Sequence, residues 1–316
     1  MPKIKYQSFN FRPATVDVIA KANAIIAEYQ RAGFVLTLRQ LYYQFVSRGF
    51  IANKTSEYHK LGSVINDARL AGLIDWHALE DRTRNVRSIS HWDSPEQIVD
   101  AVSKQFAIDK WDRQAVRPEV WIEKDALVGV IEGVCNDLDV AYFSCRGYTS
   151  QSEMWGAAMR FLRHAKNGQR THVIHLGDHD PSGQDMSRDI EDRIRMFMNG
   201  HTVPHNRTLT SGARFFEFSR IALNTDQVQQ YNPPPNPAKA TDSRFQNYLS
   251  QYGDESWELD ALDPTVIADL IRAKVEELRD DDLWSDAQTE EQSHRDMLAQ
   301  VSDRWSDVVD FINGGM

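Results

Sequence analysis

The stretch from residue 118 to residue 200 constrains this chain more than any other. Three short apolar runs, "PEVWIEK", "VAYFSCRG" and "THVIHLGD", alternate with three longer runs of helical period, "DALVGVIEGVCNDLD", "SQSEMWGAAMRFLRHAKNG" and "SGQDMSRDIEDRIRMFMNG". Strands that alternate with helices in this way fold into a parallel α/β sheet, because each helix carries the chain back to the end from which the next strand starts. Functional groups in such sheets gather beyond the carboxyl ends of the strands. "ARFFEFSRIAL" reads as a further strand, and "SWELDAL" as one more leading into the helix "DPTVIADLIRAKVEELRD". Between them, the prolines of "YNPPPNPAKATDSR" rule out regular structure. The final stretch, "TEEQSHRDMLAQVSDRWSDVVDFING", is an amphipathic helix.

Ahead of the sheet the period is helical. "TVDVIAKANAIIAEYQRAG", "TLRQLYYQFVSRG" and "TSEYHKLGSVINDARLAGLI" each end at or near a glycine, and Thr37 is the expected N-cap of the second. Three short helices followed by "IDWHALEDRTR" suggest a helix-turn-helix with a wing. The third helix would then offer Lys60, Asn66 and Arg69 to DNA, and Arg82, Arg84 and Arg87 would track its backbone. A helical bundle that binds nothing fits the same pattern. A further helix, "SPEQIVDAVSKQ", precedes a boundary placed near residues 111–117. The expected domains are 1–112 and 113–316.

The formal net charge is −10, which argues against indiscriminate nucleic-acid binding. The charge is unevenly placed, however. Residues 30–90 carry nine Lys/Arg against five Asp/Glu, whereas residues 254–316 carry five against eighteen. Binding responds to the local field rather than to the total. No apolar run is long enough to span a bilayer. "MPKIKYQSFNFRP" lacks the apolar stretch of a signal peptide, and only Cys135 and Cys145 are present, so no disulfide framework is expected. The expectation is a cytoplasmic protein.

Two places carry chemistry. Glu123 follows "VWI", and Asp178 and Asp180 follow "VIHL", so all three stand at strand ends. If those strands are neighbours, three carboxylates converge, and a hard cation such as Mg²⁺ or Mn²⁺ would relieve their repulsion. The alternative is that the two aspartates start a turn and cap the helix beginning near Ser182. Zinc bound by His172, His175 and His179 is disfavoured, because His172 and His175 fall on opposite sides of a strand; His175 should pack in the sheet and His179 lie exposed beside the acids. The second place is "TLRQLYY". A tyrosine there would need a cation to serve as a nucleophile, and Arg39 lies one helical turn from Tyr42 and Tyr43. Lys124 reaches a phosphate or balances charge. Glu258 and Asp260 read as turn and surface acids, with an approach to the metal as the alternative.

"TLRQLYY", "VWIEKDAL" and "GDHDPSG", in that order, resemble the topoisomerase VI A-subunit family, which includes the meiotic double-strand-break transesterases and small free-standing bacterial and phage relatives. "RIAL" and "WELDALDP" are similar to the family's C-terminal blocks, and the resemblance runs from about Thr37 to Pro264. It implies an N-terminal winged helix, then a Toprim-type parallel sheet with a C-terminal helical extension. It implies a homodimer on double-stranded DNA, with Mg²⁺ or Mn²⁺ at Glu123, Asp178 and Asp180. Tyr43 would be the nucleophile, facing the partner's metal, and Arg39 a phosphate contact. Where the family commonly has Arg-Asp ahead of the tyrosines, this chain has Arg39-Gln40. No ATPase module is evident, so strand passage would need a separate ATPase partner. A Toprim nuclease or nickase using metal-activated water, and a non-catalytic DNA-binding protein of the same fold, are the alternatives.

Overall fold

The computed structural model describes residues 3–79, 89, 91–205 and 208–314. In chain order the elements begin with α1 (Pro13–Arg31), α2 (Leu38–Ser47), α3 (Thr55–Leu70) and α4 (Pro95–Gln105). The alternating stretch follows as β1 (Val116–Ile122), α5 (Val128–Asp137), β2 (Ala141–Ser144), α6 (Gln151–Lys166), β3 (Arg170–Leu176) and α7 (Pro181–Asn199). A hairpin of β4 (Thr202–His205) and β5 (Thr208–Ser211) leads to β6 (Phe216–Ala222) and α8 (Thr225–Tyr231). The remainder is β7 (Asn236–Pro237), α9 (Phe245–Tyr252), β8 (Glu255–Ser256), α10 (Pro264–Leu278), α11 (Asp281–Asp303) and α12 (Trp305–Ile312). No helix among the described residues is long and apolar enough to cross a membrane.

The chain packs as two compact units, neither contiguous in sequence. One joins Met1–Arg84 to Pro118–Glu277, and the other joins Asn85–Arg117 to Leu278–Met316. Compactness therefore groups the chain differently from the linear cut at residue 112: the N-terminal helices pack in one body with the sheet.

In the first unit, a four-stranded parallel sheet has the order β2-β1-β3-β6. From β1 the chain moves outward to β2, then crosses back to place β3 on the other side of β1. The order thus reverses between β1 and β3. At such a switch point the connections leave in opposite directions and a crevice opens at the strand ends. Glu123 N–H donates to the Leu176 carbonyl at 2.9 Å, which fixes the register of the two central strands. The core beside the sheet is built from Trp121, Phe161, Val173, Ile194 and Phe216, all buried.

The three N-terminal helices close around Ile25, Leu36, Leu41, Phe45 and Ile65. Ala261, from the segment after β8, belongs to the same core and brings the "ELDAL" stretch against α2. Thr37 caps α2 as expected, and Gln40 completes a reciprocal capping box: Gln40 N–H donates to Thr37 Oγ1 at 3.3 Å and Thr37 N–H to Gln40 Oε1 at 2.8 Å. Gln40, where the resemblance led to an expected aspartate, is thus a helix-cap residue. Of the expected wing, residues 74–79 contribute a single parallel bridge, Leu36 to Leu79, and residues 80–84 lie outside the described residues.

In the second unit α4 lies along α11. Lys110 pairs with Glu291 at 2.6 Å and Arg113 with Glu290 at 2.9 Å, while Trp111 packs on Trp284. Part of the acidic C-terminal charge is therefore neutralised within this unit.

Candidate functional site

The adjacent carboxyl ends of β1 and β3 gather the strand-end residues. Glu123 sits one residue beyond β1, and its Oε2 accepts a hydrogen bond from Asp178 N–H at 2.9 Å. Asp180 is the N-cap of α7, its Oδ1 accepting from Gly183 N–H at 2.6 Å. The capping role considered for the aspartate pair is therefore real for Asp180. Two glycines of "GDHDPSG" make the approach possible. A Cβ on Gly177 would lie 2.9 Å from Glu123 Oε2, and one on Gly183 would stand 3.1 Å from the same oxygen and collide with the Asp178 carbonyl.

Asp178 itself turns elsewhere. Its Oδ1 accepts from Leu259 N–H at 2.8 Å and its Oδ2 pairs with Lys124 at 3.0 Å. The three carboxylates do not converge on one ion position, and among the described residues no three His, Cys, Asp or Glu side chains form a metal-holding group. The reason is Lys124, an ammonium next to Glu123 in sequence that takes up the Asp178 carboxylate. Glu123 and Asp180 are differently placed. Each spends one oxygen on a backbone N–H and shows no polar partner for the other among the described residues. Burial raises the Glu123 carboxyl above its ordinary range, and the Asp180 charge adds to the rise. Carboxylate oxygens are the donor type that a hard divalent cation takes, through one or two carboxylates and with most of its waters kept.

Lys124 is the hub of a larger network. Beyond Asp178 it reaches Glu258 at 2.9 Å and Asp260 at 3.0 Å. Glu258 and Asp260 also hold Arg39, whose Nε lies 2.8 Å from Asp260. The expectation that these two acids are turn and surface groups is corrected: Asp260 is 3% exposed, and both face the cations. Their position follows from an antiparallel bridge in which His179 N–H donates to the Trp257 carbonyl at 2.8 Å and Trp257 N–H donates back at 2.9 Å. Burial works against the Glu258 charge, but Lys124 and Arg39 outweigh it and hold the group down to about 2. Burial pushes Asp178 up to about 7 despite Lys124.

Arg39 also meets the tyrosine. Its guanidinium stands 5.7 Å from the Tyr43 ring centroid, with Nη2 3.5 Å from the hydroxyl. Tyr43 is 4% exposed. Burial, then Asp260 and Glu258, keep its phenol protonated well above the ordinary range. The Tyr42 hydroxyl is engaged instead with Asn53, donating to its Oδ1 at 2.9 Å. A cavity of about 330 Å³ opens at the tyrosines, lined in part by Arg39, Tyr43, Lys54, Tyr58 and Glu258.

The residues expected to meet DNA divide. Lys60, paired with Glu57 at 2.7 Å, and Asn66 are exposed on α3. Arg69 is not available: it donates to the carbonyls of Trp76 at 3.3 Å and Leu79 at 2.5 Å, because the turn after α3 leaves those acceptors without helical partners. Arg82, Arg84 and Arg87 lie outside the described residues. Lys124 balances charge in this structure.

The histidines correct one expectation. His175 packs in the sheet as expected, 3.0 Å from Ser187 Oγ. His179, expected to be exposed, is 1% exposed, enclosed by Tyr248, Tyr252 and Trp257, with Nδ1 2.7 Å from Tyr248 hydroxyl. Its backbone bridge to Trp257 draws the ring under α9.

One residue carried no assignment in the sequence. Arg220, on β6, donates to the carbonyls of Gly177 at 2.9 Å, Asp178 at 2.6 Å and Gly183 at 3.0 Å, and to Ser187 Oγ at 2.6 Å. It therefore holds the whole acid loop. The only signal for it was the "RIAL" block. No family model, curated protein or solved structure matches this chain.

Proposed function

We propose that this protein cleaves DNA strands in a metal-dependent reaction of the topoisomerase VI A-subunit type, with Tyr43 as nucleophile and a phosphotyrosyl intermediate. The observation that carries this reading is the unbroken set of ion pairs joining the tyrosine helix to the strand-end acids. Arg39, beside Tyr43, shares Glu258 and Asp260 with Lys124, and Lys124 reaches Asp178. Glu123 and Asp180 would hold Mg²⁺ or Mn²⁺, with Asp178 next to them. The bound ion supplies neutralisation of phosphate charge and stabilisation of the leaving oxygen.

The chain's own residues do the rest. Arg39 and Lys124 attract an anionic phosphodiester to the Tyr43 hydroxyl. The Tyr43 oxygen bonds to phosphorus as the bond to the leaving deoxyribose oxygen breaks; the phenol gives up a proton and the leaving oxygen takes one. Lys60 and Asn66 on α3 contact the duplex. The reading includes a winged-helix N-terminal region, a Toprim-type sheet, a homodimer on double-stranded DNA, and a separate ATPase partner where strand passage is needed. It places the protein in the cytoplasm, where the buried thiols Cys135 and Cys145 remain reduced.

A Toprim nuclease using metal-activated water is the second reading. One observation favours it: burial and two neighbouring acids oppose ionisation of Tyr43. Incubation with supercoiled plasmid and Mg²⁺ or Mn²⁺, analysed under denaturing conditions for protein attached to cut ends, separates the two. Tyrosine chemistry leaves protein on the ends and is lost in a folded Tyr43→Phe variant. Cleavage retained by Tyr43→Phe means water is the nucleophile. No cleavage by the wild type with either metal would leave a non-catalytic DNA-binding protein.

A further inference from the structure

Glu258 occupies an unusual place. Its Oε2 accepts from Lys124 at 2.9 Å and also pairs with Arg39, the guanidinium that lies against Tyr43. A single carboxylate oxygen clamped between an ammonium and a guanidinium beside a phenol is held as one oxygen of a phosphodiester would be held. The cluster's charge fits the comparison. Arg39 and Lys124 face Asp178, Glu258 and Asp260, so exchanging the Glu258 carboxylate for one phosphodiester replaces one negative charge with another.

The three acids differ in freedom. Asp260 is buried with 2% of its side chain exposed, and Asp178 is pinned by Leu259 N–H. Glu258 keeps 27% exposure and lines the cavity of about 330 Å³ in which Tyr43 and Lys54 also stand. It alone has open space to move into, and an incoming nucleotide has the same space to enter.

We propose that Glu258 is an internal placeholder for a DNA backbone phosphate: it closes the anion site made by Arg39 and Lys124 beside Tyr43 until a phosphodiester displaces it. The inference rests on the DNA-binding part of the proposed function and not on which nucleophile acts. The closed site keeps two cations paired in the absence of DNA. It also makes binding weaker than the cations alone would give, because each phosphate must first break the Glu258 pairs.

Glu258→Gln keeps the size of the side chain and removes its charge. Binding of a short fluorescent DNA duplex, read by anisotropy in EDTA so that no cleavage occurs, should tighten about tenfold, the scale of a charge-assisted hydrogen bond lost to a competitor. Glu255→Gln, on the exposed start of the same segment, removes the same charge without touching Arg39 or Lys124 and controls for the general field. It should change binding little. Added inorganic phosphate should compete more strongly against duplex on Glu258→Gln than on wild type. If Glu258→Gln binds no tighter than Glu255→Gln, or binds more weakly, Glu258 supports the site rather than blocking it and the proposal fails. Should Glu258→Gln melt well below wild type, Glu258→Asp replaces it: one methylene shorter, it should lose its grip on the cations, and unchanged duplex binding would again overturn the idea. Failure of plasmid cleavage would sink the enzymatic reading and leave this binding result standing.

Discussion

Gly183 shows how little freedom the acid loop has. A methyl group there would run into the Asp178 carbonyl and crowd Glu123. Gly183→Ala should cost about 1–3 kcal/mol, the usual scale for overpacking a tight site, and chemical denaturation should show it; a neutral result would mean the loop relaxes freely. His179 gives a pH test. Burial, followed by the Arg220 charge, holds its imidazole down to about 4 from an ordinary 6.5. The unfolded chain therefore takes up this proton first. The stabilisation is fully present above pH 6.5 and is lost as pH falls toward 4. The stability advantage of wild type over His179→Gln should shrink across that window in urea titrations. A gap that stays constant with pH would mean His179 is not held neutral. The site was legible at this scale only in part: strand-end placement located Glu123 and Asp178, but nothing in the spacing told that Lys124 would claim Asp178.

Among the elements, β6 and the segment after β8 do what local pattern could not announce. Arg220 projects from β6 and satisfies carbonyls in the loop after β3 and the first turn of α7. A lysine there offers a point charge with fewer, differently directed donors. Arg220→Lys should lose about 3 kcal/mol, the cost of leaving several buried acceptors unpaired, and should make amides of residues 177–183 exchange faster. Unchanged exchange would show that the loop is held without the guanidinium. The α2 capping box was half readable, with Thr37 identifiable from type and position. The partner Gln40 became meaningful only when its side chain was seen to return to the Thr37 amide. The "ELDAL" segment looked like strand and turn because its short apolar repeat says nothing of its partners. The bridge to His179 and the packing of Ala261 on the α2 core decide its role.

For the molecule as a whole, the division into units departs from the order of the chain. The N-terminal helices fold with the sheet, and the helix before the sheet folds with the C-terminal helices. A linear reading places boundaries where the period changes, whereas compactness depends on which apolar faces meet. The proposed function adds an expectation at this scale. Sedimentation equilibrium should give twice the chain mass, and duplex binding should weaken steeply with salt as phosphate contacts release counterions. A monomer at all concentrations would remove the shared site implied by the family resemblance.

The sequence by itself determined the parallel sheet, the three leading helices and the strand-end positions of Glu123, Asp178 and Asp180, because hydrophobic period and capping are local properties. Tertiary structure alone decided which charges became partners. Arg39 and Lys124 meet Glu258 and Asp260 more than a hundred residues away, and Arg220 meets the acid loop across a strand pairing. Coulombic and hydrogen-bond pairing depends on distance in space, and a chain's distances in space are set only when its faces pack.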